Sequence, residues 1–596
     1  TVLERQISSD NITAQMSDPI RIYQELPAKE IIITPKGDCV IDFGQNIAGF
    51  VRFRVKGTAG QIVELDHSEV LDEYGNFLLN IPGKAAKQHD VFILTGNDDV
   101  FEPQFTYHGF RYTRLINFPS NIDICDFSAV MISSDMEDTA WFSCSNNKIN
   151  RLWENTIWSQ RANTISIPTD CPQREKAGWT GDMQMYSKSA TMNADMDAFL
   201  TSWLNAIAYE QKPNGIVPIV VPYINAYKET FKAVVKSGTS AGWGDAVIVV
   251  PYVMYRTYGD RGILEKHYDN MTRWMDYVER IAATESPVSF RLNPKYWFNK
   301  NAKSLQKYLW NTGFHFGDWL IPSKSGKGAS GMITSAFLTK GLVAPCYYAY
   351  SSMLMEKIAA TLGKTEDAKK YRSINEMIRS AFDYFHVNQS GKLSQQYQGL
   401  YVLALKFDLA PQDKRPLLAK HLVELIEKNG DRLDTGFASV EFLLDVLCDI
   451  GRMDKAYKIL YQEKSPSWLY EVNNGATTIW ESWDAILPDG KVTNMSYNHY
   501  SFGCVDDWIY RRIAGINNVE AGFKKFLVMP QPDAEMNSAA LKFHSVYGNI
   551  AIKWKRENGK FALSITVPCN TTAEVIMPNG ERHSVGSGSH VFSNHE

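Results

Sequence analysis

The strongest constraint on the fold is a change of hydrophobic period near Asp138. Before it, "EIIITP", "DCVIDF", "GFVRFRVKG", "GQIVELDHSEV" and "HDVFILTG" are short runs rich in Val, Ile and Phe, punctuated by Gly and Asn-Asp. That pattern predicts a β-sandwich over residues 1–138. "VRFRVKG" alternates apolar and basic residues, which puts one face in a core and the other in water. From "NNKINRLWENTIWSQRANT" to about Gly515 the apolar spacing becomes helical, as in "AKKYRSINEMIRSAFDYF". "RPLLAKHLVELIEKNG" closes on an Asn-Gly stop. Roughly eleven to thirteen such segments fill residues 139–516, too many for a four-helix bundle. No repeat marks a solenoid. A closed ring of paired helices, an α/α toroid, fits both facts, and its loops converge at one end where they build a pocket. Residues 517–596 return to β, with "AALKFHSVYGNIAIKWKRENGKFALSITVP" and "TAEVIMPNG" reading as hairpins with Asn-Gly turns. A small C-terminal β-sandwich domain is expected there.

The balance of charge narrows the partners. Lys+Arg number 62 against Asp+Glu 66, a net charge of −4, and no basic block appears, which argues against nucleic acid. The longest strongly apolar run, "AVIVVPYVMY" from Ala246 to Tyr255, is too short to cross a bilayer. The eight cysteines form no C-x-x-C pair, so no zinc ribbon, metal or redox site is signalled, and buried free thiols are expected. The chain opens at Thr1 without a charged-then-apolar leader, so the compartment is not readable from it.

Chemistry concentrates in one stretch, "TDCPQREKAGWTGD", Thr169 to Asp182. Pro172 discourages helix and the glycines allow a tight path. Folded into a pocket, Asp170, Glu175 and Asp182 crowd together, and like charge and burial beside Trp179 raise at least one pKa. A carboxylic acid kept protonated is what a general acid needs. Arg174 holds a neighbour ionised or binds a hydroxyl. An acidic loop capping the next helix, with Asp182 near its N-terminus, is the plainer alternative. Further on, "TTIWESWDAILPDG" sets Glu481 between Trp480 and Trp483, which reads as a sugar-binding wall or as a Glu with both indoles in the core. "MSYNHYSFG" offers His499, "AGWGDA" offers Trp243 and Asp245, and "FHFGDWLIP" offers Asp318 and Trp319. Glu175 and Glu481 lie far apart in sequence, yet a closing ring brings early and late helices together. A carboxylate pair is what glycoside hydrolysis requires. No G-x-S-x-G elbow, phosphate loop or H-E-x-x-H occurs. Cys171 as a nucleophile lacks a signalled His partner.

With these residues in view, the chain resembles the bacterial α-L-rhamnosidases of glycoside hydrolase family 78. Their loop reads approximately D-C-P-Q-R-(D)-E-x-x-G-W-x-G-D, matched by "DCPQREKAGWTGD" without the optional acid before Glu175. The W-E-x-W-D and N-H-Y segments follow in the same order, and "DFGQNIAGFVRFRVKG", "HSEVLDEYGN" and "FTYHGFRY" are similar to the family's sandwich. The resemblance implies an (α/α)6 barrel between the two β domains and an inverting exo-glycosidase that removes terminal α-L-rhamnose. It implies Glu175 as general acid and Glu481 as general base. Asp170, Arg174, Asp182 and His499 are implied to bind rhamnose hydroxyls, and Trp179, Trp243 and Trp319 to wall the subsite against the C6 methyl. No cofactor or metal is implied. The partner is a rhamnosylated glycan or glycoside, a homo-oligomer is left open, and a periplasmic or secreted location is favoured over a cytoplasmic one. The lack of further β domains upstream suggests a short member or a truncated chain. The alternatives are a barrel glycosidase for another sugar, or an inactive carbohydrate-binding protein.

Overall fold

The computed structural model describes residues 6, 10, 12, 14–80, 88–224, 238–325 and 329–595. The N-terminal part is an eight-stranded antiparallel sheet. Its main path runs Ile20–Pro27, Phe127–Ser134, Cys39–Lys56, His108–Ile116, Ile62–Ser68 and His89–Ile93, with Glu30–Ile33 and Asp98–Phe101 also paired to Cys39–Lys56. "DCVIDF" and "GFVRFRVKG", which read as two strands, are one strand of 18 residues. The reason is a bulge. Register against His108–Ile116 shifts between Asp42 and Ile47, and Gly44 takes φ +73°, a conformation that suits glycine. The bulge bends the strand without ending it. As the alternation predicts, Val51, Phe53 and Val55 are buried while Arg54 and Lys56 face water. Phe53 packs in its core with Phe92, Phe101, Phe118 and Phe127.

Ala140–Cys144, just past the change of period, is a strand whose partner is distant. It pairs with Ser538–Ser545 and so completes a five-stranded C-terminal sheet. The tight hairpin Gly548–Glu557 to Lys560–Val567 turns on Asn558 and Gly559, both at positive φ, as an Asn-Gly turn requires. A second sheet of four strands contains Ile516–Glu520, Lys525–Val528, Thr572–Ile576 and Arg582–Val585.

Between the β parts the chain is helical. Arg415–Lys428 stops at Asn429, followed by Gly430 at φ +70°, which matches the expected Asn-Gly stop. Thr180–Asn193 packs against Ala246–Tyr258 on one side and Ser501–Cys504 on the other. Ala246–Tyr258 packs against Ala329–Thr361, which packs on Gln398–Lys406, then Phe437–Asp449, which returns to Ser501–Cys504. These segments are buried almost all round: in Thr180–Asn193 every residue but Lys188 is buried. Helices such as Gly262–Thr284 and Thr365–His386 lie outside them with one apolar face each. No described helix is long and apolar enough to cross a membrane. All eight cysteines are free, four of them buried.

Candidate active site

The loop after Pro168 is tied to itself. Asp170 N–H donates to Ala177 O at 3.0 Å, and Ala177 N–H donates to Asp170 Oδ1 at 3.0 Å. This staple forces the intervening residues into a tight excursion, with Lys176 at φ +52°. Chain leaving the loop passes through spaces with no room for a side chain. A Cβ on Gly178 would lie 2.0 Å from Val221 O, and one on Gly181 would lie 2.5 Å from the Trp243 indole. Thr180–Asn193 then begins, with Asp182 in its first turn, where a carboxylate is favoured by the helix dipole. Asp182 faces a cavity from the first turn, but it does not cap the helix: the N-cap position is Trp179, with no side-chain bond there.

The excursion presents its acids to a cavity of about 250 Å³ lined by Asp170, Arg174, Glu175, Trp179, Asp182, Trp243, Phe316, Trp319, Met332, Phe437, Glu481 and His499. Every residue that the family resemblance implies for binding or catalysis is in that lining. Arg174 sits at its centre. Its Nη2 donates to both oxygens of Glu481 at 3.0 and 2.9 Å and lies 3.2 Å from Glu175 Oε1. The facing oxygens of Glu175 and Glu481 are therefore no more than about 6 Å apart. The other Glu175 oxygen accepts from Trp179 Nε1 at 2.9 Å. Glu481 also accepts from Ser496 N–H at 2.9 Å. His499 Nε2 faces Asp182 Oδ1 at 3.1 Å.

The electrostatics separate these acids. Burial pushes the Glu481 carboxyl up, but Arg174, His499 and the Ser496 N–H together outweigh it and hold the group below the ordinary carboxylate range. Burial and the Glu175 charge push Asp170 well above that range. Burial also raises Asp182, against the opposing pull of His499. Burial works to lower His499, but Asp182, Glu481 and Asp170 raise it past the ordinary histidine value. The site thus holds a buried ionised carboxylate beside groups that retain protons, a division of labour suited to acid–base chemistry.

Three residues on the wall were not anticipated. Phe316 lies inside the quoted "FHFGDWLIP" and is in ring contact with Trp179, Trp243 and Trp319, so the motif's own aromatic content was the missed signal. Met332 and Phe437 carried no local signal. Other expectations are corrected. Trp480 and Trp483 do not wall the cavity. Trp483 stacks on Phe502 at 4.0 Å in the core, and Trp480 is buried against Tyr497, so the core alternative holds. Asp245 and Asp318 are not sugar-facing either. Asp245 is buried and accepts from Trp274 Nε1, Ser351 Oγ and Gly242 N–H. Asp318 accepts from Gly436 N–H and Ser439 Oγ, which fixes the turn that presents Phe437. Cys171 is a buried thiol that donates to Asp170 Oδ2, and burial and Asp170 raise it far from thiolate character.

Residues 137–513 match a family model described as the bacterial alpha-L-rhamnosidase 6 hairpin glycosidase domain. The chain belongs to the bacterial α-L-rhamnosidase family. Residues 32–133 match that family's concanavalin-like domain and residues 515–592 its C-terminal domain. An α-L-rhamnosidase of Streptomyces avermitilis is 35% identical over 610 residues, covering 98% of this chain and 54% of that protein. One from Formosa agariphila is 32% identical, covering 96% of this chain and 58% of that protein. The chain therefore spans little more than half the length of these curated relatives. A crystal structure of a Streptomyces avermitilis α-L-rhamnosidase complexed with L-rhamnose superposes with a TM-score of 0.86 at 35% identity, covering 98% of this chain and 54% of that one. The native Aspergillus terreus enzyme superposes with 0.88 at 32% identity, covering 99% and 66%. This rhamnosidase-family chain is thus a multidomain protein with an N-terminal sheet domain and a C-terminal all-β domain.

Proposed function

We propose that the protein is an inverting exo-α-L-rhamnosidase that hydrolyses terminal α-L-rhamnose from a glycoside or polysaccharide. The observation that carries this is the pairing of Glu175 and Glu481 on one guanidinium inside a single cavity. In this reading Glu175 protonates the glycosidic oxygen. Glu481, ionised through Arg174, takes a proton from the water that attacks the anomeric carbon. Inversion needs room for that water, roughly 6.5–9.5 Å between carboxyl groups. The bound of about 6 Å on the facing oxygens fits the inverting and the retaining spacing alike, so inversion rests on the family resemblance and is tested by the product anomer. Asp170, Asp182, His499 and Arg174 bind the ring hydroxyls. Trp179, Trp243, Phe316, Trp319, Met332 and Phe437 form a wall with no charged group. Such a wall suits a sugar bearing a methyl where others carry a hydroxymethyl, and this favours a 6-deoxy sugar.

The reading includes an (α/α)6 barrel over 139–516, supported by the succession of packed inner helices and by the match to a six-hairpin glycosidase domain. It also includes β-sandwich domains at 1–138 and 517–596. The test is release of p-nitrophenol from the α-L-rhamnoside by wild type, Glu175→Gln and Glu481→Gln, with the first-formed product anomer followed by NMR. Turnover indifferent to both substitutions would sink the site assignment. A retained anomer would sink inversion.

A further inference from the structure

The segments that carry Glu481 and His499 are held from behind by the N-terminal sheet. The bulge in Cys39–Lys56 is what reaches them. Gln45 Nε2 donates to Thr477 O at 2.8 Å and Asn46 N–H to Thr477 Oγ1 at 2.9 Å. Asn46 Nδ2 donates to Tyr497 O at 3.3 Å and to Glu69 Oε1 at 3.1 Å. Asn80 Nδ2 donates to Met495 O at 3.1 Å and to Glu69 Oε2 at 3.0 Å. Tyr497 N–H closes the set by donating to Glu69 Oε2 at 3.0 Å. Asn46, Glu69 and Asn80 are 3%, 2% and 1% exposed, and Asn46 and Glu69 border a second cavity of about 180 Å³ shared with Thr477 and Tyr497.

Consecutive amides of this segment point opposite ways. Ser496 N–H donates to Glu481 Oε2 and Tyr497 N–H donates to Glu69. The backbone carrying His499 therefore hangs between two carboxylates, one inside the cavity and one from the other domain. The same sheet supports the acid's loop. Lys176 Nζ donates to Tyr107 O, and a Cβ on Gly109 would stand 2.7 Å from Gln173 N and 2.8 Å from Pro172 Cγ. Both carboxylate-bearing segments lean on one surface, so that surface sets their separation.

We infer that Glu69 is a positioning residue for the Glu481–His499 segment, and that the N-terminal sheet is a working part of the active site. The inference rests on the acid–base reading above. Three donors converge on Glu69: two amide groups and one backbone N–H. Only a carboxylate offers two acceptor oxygens to them, while an amide would set its own donor against theirs. Burial pushes Glu69 up to about 7 against these donors and the Arg174 charge. That is the cost of placing a carboxylate here, and it argues for a role that an apolar interface would not serve.

The test is a cycle with Glu481→Gln, assayed on p-nitrophenyl α-L-rhamnoside. Glu69→Gln is expected to lower kcat about 10- to 100-fold with KM changed less than about threefold. In the Glu481→Gln background the same change should cost less than about twofold, because the group it positions is gone. Tyr23→Phe removes a bond to Asp138, which sits at the junction of the two domains and pairs with Arg161 of the helical part, and should leave kcat within about twofold in both backgrounds. Amide exchange across 493–499 should rise in Glu69→Gln with the core unchanged, a readout independent of activity. A folded Glu69→Gln protein with wild-type kcat, an equal loss in both backgrounds, or unchanged exchange would overturn the inference. If Glu69→Gln does not fold, Asn80→Ala replaces it, with about 3- to 10-fold loss in the same pattern; full activity would be equally fatal. Absence of wild-type turnover would instead refute the rhamnosidase reading and leave the exchange result to decide the clamp.

Discussion

Replacing Arg174 by Gln tests the electrostatic argument most directly. The guanidinium is the strongest charge that opposes burial at Glu481, and it bonds both Glu481 oxygens at 2.9–3.0 Å. Removing one partner of a buried ion pair costs about 3–5 kcal/mol. With side chains 18% and 12% exposed, the lower end applies, about 3 kcal/mol. The protein escapes that cost when Glu481 takes up a proton, and then it has no base. At about 1.4 kcal/mol per factor of ten, that cost raises the proton affinity of Glu481 about 100-fold, so kcat/KM falls by up to about 100-fold in acid and much less at neutral pH, where the carboxyl is still largely ionised. The sign follows from the depressed value. Glu481's stabilising ionisation is present above the ordinary carboxylate value and is lost as pH falls through its lower folded value. In Arg174→Gln that loss begins at higher pH. The acidic limb of kcat/KM therefore moves upward, and the deficit against wild type narrows as the medium is made alkaline. The assay is the kcat/KM profile of both proteins on p-nitrophenyl α-L-rhamnoside from about pH 5 to about pH 9, where the limbs are resolved. A deficit constant across that range would mean that Arg174 serves only to bind sugar, and the argument would fail.

Glu175→Gln is expected to cost about 10²- to 10⁴-fold on rhamnosides with poor leaving groups and far less on a dinitrophenyl rhamnoside, read as kcat/KM for the pair. Equal losses would remove Glu175 from the acid role. His499 has a raised folded value, so its contribution is fully present below the ordinary histidine value and is lost as pH rises through the folded one. The stability gap between wild type and His499→Gln, measured by urea unfolding, should be about 2 kcal/mol in mild acid and shrink in alkali; a gap that grows with pH contradicts the Asp182–His499 pairing. Gly181→Ala drives a methyl into the Trp243 indole and should cost about 1–3 kcal/mol of stability while raising KM for the rhamnoside. An unchanged KM would show that Trp243 does not shape the sugar's place.

What was legible from sequence was what lay within one stretch or one period. Asp170, Glu175, Trp179 and Asp182 fall within a run of fourteen residues, so any tight loop there had to bring them together. The change of period at Asp138 separated sheet from helix because two and 3.6 are different repeats. The failures share a cause, which is side-chain direction. Trp480 and Glu481 are adjacent where the chain bends, and the glutamate enters the cavity while the indole packs on Tyr497. "GWGD" and "FGDW" share letters with "GWTGD", yet Asp245 accepts from backbone, hydroxyl and indole donors and Asp318 Oδ2 from a backbone and a hydroxyl donor. Nothing in the letters distinguishes an aspartate that binds a sugar from one that builds the turn beside it.

The clamp was illegible for a different reason. Asn46 meets Thr477 across 431 residues, and Glu69 meets Tyr497 across 428. Gly44 was visible, but not that its bulge would aim two amides at the segments around Glu481. Such contacts need the sheet and the helical part both in place. They lie apart from the Phe53 cluster, which is the sheet's main core. If that is so, partial loss of docking should lower activity before it lowers the melting temperature of either part. Glu69→Gln is then the substitution at which those two quantities separate.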